Sequence, residues 1–154
     1  MWAAATAVHV LPIFLPHLAA RRAQRGGREP HIGETMNLFT EEQQQQLIEN
    51  GRRNAERIGT DGSTVDFAPV VKLFCPWGGA TWLLTEIDPE EPTIAFGLCD
   101  LGSGSPEIGS VSLAEITSVT GPGGLRIERD LHFKADWTLK AYADEAYRAG
   151  RIMA

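Results

Sequence analysis

Apolar residues recur at helical spacing up to Ile58 and at a spacing of two from Val65 onward. A pattern of one period cannot be satisfied by the other element, so the chain must set a helix ahead of a sheet. Thr40 followed by Glu41, Glu42 and Gln43 fits a capping box, in which the Thr40 hydroxyl accepts from the Gln43 N–H and the Gln43 side chain reaches back. The spacing predicts a helix over about 41–58, with Leu47, Ile48, Ala55 and Ile58 on its apolar face. The glutamines of residues 43–46 and the arginines Arg52, Arg53 and Arg57 then face water, and residues 59–63 (GTDGS) end the helix.

Strands are predicted over 71–75, 81–86, 93–99 and 107–111, the first two joined as a hairpin by Pro76-Trp77-Gly78-Gly79. Ser112-Leu113-Ala114-Glu115 reads as a second capping box that opens a short helix, and Gly121-Pro122-Gly123-Gly124 stops it. Residues 125–133 (LRIERDLHF) alternate as a strand does. Leu125, Ile127, Leu131 and Phe133 would face a core, and Arg126, Glu128, Asp130 and His132 the opposite side, with Arg129 the exception. Leu139, Tyr142, Ala143, Ala146 and Ile152 predict a last helix over 139–152. The resulting class is α+β: a small, mainly antiparallel sheet with an N-terminal helix, a short internal helix and a C-terminal helix.

With 154 residues, 43% of them hydrophobic and 22% charged, the chain suits one globular domain. No apolar run approaches the roughly 18–20 residues that cross a bilayer, so a membrane partner is not expected. Residues 8–20 are apolar but hold Pro12 and Pro16, and the arginines follow this stretch where a secretory signal would place them before it. Residues 21–30 are rich in Arg and Gly with no hydrophobic period. The codons of Gly33 and Glu34 can spell a ribosome-binding GGAGA ahead of Met36. The expected organisation is therefore a disordered or non-native upstream extension over 1–35 and a single domain over 36–154. Net charge is −6; residues 1–35 carry four arginines against Glu29 and Glu34, which leaves the remainder at −8. So acidic a domain repels a phosphate backbone over most of its surface. Cys75 and Cys99 form neither a CxxC motif nor a disulfide framework, which points to a reducing, cytoplasmic setting.

Two groups of side chains could carry chemistry. Glu128, Asp130 and His132 would share one strand face at steps of about 7 Å. With Glu86, Asp88 and Asp100 converging from neighbouring strands, such oxygen and imidazole ligands could hold Mg or Mn and activate water against a phosphodiester. The same residues equally make a solvated face in which Arg126 and His132 pair with Glu128 and Asp130. The second group is aromatic: Trp77 sits in a turn and could be an exposed binding anchor, with Arg126 and Arg129 as basic contacts, whereas Phe74, Trp82 and Phe96 read as core. Residues 102–105 (GSGS) and 121–124 (GPGG) lack the context of a phosphate loop, and no nucleophile elbow, HExxH motif or triad is present.

Several motifs recur together: Val71-Lys72-Leu73-Phe74 to Pro76, Thr81-Trp82 with Thr85-Glu86, Asp88-Pro89, Phe96-Gly97-Leu98, Pro106-Glu107 with Gly109, Ser112-Leu113 with Glu115, and Gly124-Leu125 through Ile127-Glu128-Arg129-Asp130-Leu131-His132-Phe133. In these the chain resembles, from Met36 to about Ile152, the bacterial domain-of-unknown-function family 2958, short proteins of plasmids, prophages and other mobile elements. Trp77-Gly78-Gly79 departs from the pattern, where polar residues are more typical. The resemblance implies a start at Met36 and supplies no established activity, although some members carry a label of single-stranded DNA endonuclease. The expected function is a small acidic binding or interaction module of mobile-element type, non-enzymatic, with no cofactor established and directed at a protein partner. The alternative is a metal-dependent single-stranded DNA endonuclease that uses the surface carboxylates with Mg or Mn.

Overall fold

A computed structural model describes residues 38–154. The boundary expected at residues 35 and 36 lies outside the described residues. The elements run α1 (Glu41–Asp61), β1 (Val71–Phe74), β2 (Thr81–Ile87), β3 (Ile94–Asp100), β4 (Glu107–Ser112), α2 (Leu113–Ser118), β5 (Glu128–Arg129) and α3 (Leu139–Ala149), with one 3-10 turn at Pro122–Gly124. The five strands form one antiparallel sheet in the order β4-β3-β2-β1-β5, and the class is α+β. Helices cover both faces. One face packs Val71, Leu73, Trp82, Leu84, Ala95 and Val111 against Leu47 of α1 and Leu113 and Ile116 of α2. The other packs Leu83 and Leu98 against Leu139, Tyr142, Ala143 and Ala146 of α3. No described helix is long and apolar enough to cross a membrane.

The capping box of α1 is formed: Gln43 N donates to Thr40 Oγ1 at 3.1 Å and Thr40 N to Gln43 Oε1 at 3.0 Å. The helix runs three residues past Ile58 because Gly62, at φ 73, supplies the left-handed residue that ends it. Its buried face differs from the expected one. Ile48 and Ile58 are exposed at 40% and 37%, and the buried stripe is Leu47, Asn50, Gly51 and Asn54. The second box is half formed: Glu115 N donates to Ser112 Oγ at 3.2 Å, while Glu115 Oε2 is buried without a partner.

The largest correction concerns residues 125–133. Only Glu128 and Arg129 pair as a strand, against Phe74 and Leu73, because β1 offers just four residues to pair with. Asp130 N donates to Lys72 O at 2.9 Å, and then the chain turns as Asp130 Oδ1 accepts from His132 N at 2.9 Å. Upstream, Gly121 N on Leu125 O at 2.8 Å folds Leu125 into a loop. Ile127 is buried as expected, but Leu131 is 74% exposed and Leu125 43%.

Candidate functional site

The site is built where β2 outlives its partner. Val70 N donates to Leu84 O at 2.8 Å as the last contact along β1, after which the preceding residues leave the sheet. The register with β3 slips between Leu84 and Glu86, and Gly97 lies opposite, where a Cβ would stand 2.0 Å from Leu83 O. Thr85, at the slip, has no register partner in β3, and its buried carbonyl takes a donor from helix α1. Asn50 Nδ2 donates to Thr85 O at 2.9 Å, and Gly51 lets the helix approach so closely that a Cβ there would sit 1.9 Å from Ile87 O. One turn on, Asn54 Oδ1 accepts from Val65 N at 2.7 Å, and its Nδ2 donates to Val65 O at 3.2 Å and to Glu86 Oε1 at 2.7 Å. A single amide thus pins the loop after α1 and orients a carboxyl.

Glu86 opens into a cleft of about 660 Å³ between α1, the sheet and α3. Its walls are largely apolar: Ile58 and Phe67 on one side, Phe96 and Ile108 on the sheet, Ala143 and Tyr147 on α3. Burial in these surroundings pushes the Glu86 carboxyl up to about 7, against the opposing pull of the Asn54 hydrogen bond. The group therefore changes charge near neutral pH and can donate or accept a hydrogen bond there. The one histidine of the described residues, His132, does not line the cleft, so none of these residues gives Glu86 an imidazole partner for a nucleophilic relay.

The other expected site residues are dispersed. Asp88 lines the same cleft, but its Oδ1 accepts from Glu90 N at 2.8 Å and Glu91 N at 3.1 Å, which shapes the turn. Asp100 is buried at the far end of β3 and binds Gly102 N at 2.8 Å and Ile152 N at 3.0 Å. Glu128 and His132 are exposed, and Asp130 sits 3.3 Å from Lys72 Nζ. The His132 N–H and then the Lys72 ammonium hold the Asp130 carboxyl below its ordinary value. Among the described residues no three His, Cys, Asp or Glu side chains gather as metal ligands would, so these candidates do not fit a Mg or Mn centre. Nor does the expected Arg126 pair form, since Arg126 donates to Thr117 O at 2.8 Å, and Arg129, expected as a basic contact, has its Nη1 buried without a partner among the described residues. Trp77 is not the open anchor its turn suggested. Its ring is half-buried over Gly121, where a Cβ would meet it at 2.4 Å, and its Nε1 is buried without a partner.

Asn54 and its supporting pair were missed from sequence, although a signal was present. Counting three, four and seven residues from Leu47 reaches Asn50, Gly51 and Asn54, so the core stripe of the helix is filled by residues that contact backbone.

A protein-family model described as a protein of unknown function, DUF2958, matches residues 38–153. The chain belongs to this family. No curated protein and no solved structure matches it. The DUF2958 match spans every described element from α1 to α3, so the Glu86 cleft lies wholly inside the family domain.

Proposed function

We propose that this domain is a non-enzymatic binding module whose ligand seat is the cleft around Glu86. The observation that carries the reading is the convergence of apolar walls on one half-buried carboxyl held by Asn54. Ligand sites are commonly concave, mostly apolar and preformed, with a few polar groups that fix orientation, and the cleft lies within the usual range of about 300–1,000 Å³. Its lining comes from α1, the loop at residues 64–67, the ends of β2, β3 and β4, and α3. In this reading Glu86 orients a ligand, and among the described lining residues no histidine accompanies it.

Titration with Nile red, a neutral dye that brightens in apolar surroundings, tests this at pH 6, where the Glu86 carboxyl is mostly neutral. Saturable binding is expected, together with at least a tenfold loss of affinity in Ser110→Trp, whose ring would fill the β4 side of the cleft. Equal affinity in a Ser110→Trp protein with unchanged circular dichroism would remove the cleft as the seat.

A further inference from the structure

Charge around the cleft is one-sided. Asp66, Asp88, Glu91 and Asp144 join Glu86 on the lining, and among the described residues Lys140 is the single cation there. That lysine is already engaged, with Nζ 2.7 Å from Asp144 Oδ2 and its backbone N–H 3.1 Å from Asp66 Oδ1. The cations of the facing helix are occupied as well. The Arg53 guanidinium stands 5.2 Å over the Phe67 ring, and Arg57 donates to Ser63 Oγ at 2.9–3.0 Å. From the sheet, the loop and both helices, Glu86 receives one hydrogen bond, from the neutral amide of Asn54.

Three ligand classes can be compared on these facts. An anion would enter against five carboxylates and one committed ammonium. A neutral apolar molecule would strip water from the Glu86 carboxylate and return nothing, which an ionised group resists. A cation with an apolar body meets both demands: its charge partners the carboxylate, and its hydrocarbon covers the walls. Resting on the cleft reading above, we infer that the ligand is a small lipophilic amine whose ammonium pairs with the Glu86 carboxylate and whose apolar body lies against Phe96, Ile108 and Tyr147.

Proton linkage follows from the same pairing. The carboxyl titrates near about 7 in the empty cleft and an alkylammonium near about 10, so both partners are charged between roughly pH 8 and 9. Below that range the carboxyl must give up a proton before the pair forms, and amine affinity falls.

The test uses the full chain and three probes that differ in head group: 4-phenylbutylamine, 4-phenylbutan-1-ol and 4-phenylbutyrate, followed by amide chemical shifts of Phe67, Ile108 and Tyr147. At pH 8.5 the amine is expected to bind at least tenfold tighter than the alcohol, and the butyrate weakest of all. Between pH 8.5 and 5.5 the amine should lose at least tenfold. In Glu86→Gln, which retains an oxygen for Asn54, amine and alcohol should converge and the pH dependence should vanish. If the alcohol matches the amine in the native protein, or the butyrate exceeds it, the cationic ligand is overturned while the cleft remains a binding site. If none of the three moves cleft amides, the cleft reading falls with it.

Discussion

At Glu86 two effects of opposite sign meet, and the larger is burial, which lifts the carboxyl from an ordinary 4.5 to about 7 despite the Asn54 bond. A carboxyl whose value is raised on folding binds more protons in the native than in the unfolded chain between those two values. The native state is therefore penalised progressively as pH rises from about 4.5 through about 7, and the penalty is complete above. Allowing for water in the open cleft, it amounts to about 1–2 kcal/mol. Glu86→Gln is expected to match the native protein at pH 4 and to exceed its stability by that amount at pH 8, as read from urea unfolding at both values. Asp130 has the reverse sign. Its depressed carboxyl favours the folded chain above its unfolded value and loses that effect as pH falls, so Asp130→Asn should cost about 1 kcal/mol or less at pH 7. The two residues were equally visible in the sequence as strand carboxylates. What separates them is the wall each one faces, and a single strand pattern carries no information about the helix packed across from it.

Helix α1 is the element whose reading improves most once the sheet is in view. Its start and cap were legible, because the Thr40–Gln43 box is local chemistry, while its end lay three residues beyond Ile58. Its buried face was not, because apolar content points to Ile48 and Ile58 whereas the β2 backbone takes Asn50 and the close approach at Gly51, and Val65 with the Glu86 carboxyl takes Asn54. The two glycines of this helix therefore carry opposite consequences. Alanine at either position favours the helix by up to about 1 kcal/mol. At Gly59 nothing lies within 4 Å of the new Cβ, so Gly59→Ala is expected to raise the thermal midpoint by a few degrees. At Gly51 the Cβ would sit 1.9 Å from the Ile87 carbonyl, and α1 would have to lift from β2 and loosen both asparagine contacts. Gly51→Ala should lose about 2–3 kcal/mol net, typical of overpacking, and should weaken binding in the cleft as well. A midpoint that rises in both variants would show that α1 is not held at this distance. Strand β5 shows the converse limit of local pattern: LRIERDLHF alternates over nine residues, but pairing lasts only where β1 runs alongside it.

Across the whole molecule, the fold class was legible because the hydrophobic period changes once and stays changed, whereas the three-layer closure depends on which sheet face each helix covers. That closure draws in both ends of the described chain. Ile152 N is clasped by Asp100 Oδ2 at 3.0 Å, and Leu38 and Phe39, just ahead of the α1 cap, are each 4% exposed in the core against α1. The described core thus begins at Leu38, two residues past Met36. A chain started at Met36 keeps every described buried residue of both core clusters, and its thermal midpoint should match that of the full protein within a degree or two. A chain started at Thr40 keeps the capping box but loses two large apolar side chains. Their burial contributes about 3–5 kcal/mol together, so its midpoint should fall by about 10 °C or more. The contrast separates two ideas of where the domain starts: if the cap alone defined its edge, the Thr40 chain would melt with the Met36 chain. If instead the Met36 chain melted well below the full protein, residues ahead of it would belong to the fold. Loss at Thr40 is the outcome that burial of Leu38 and Phe39 requires.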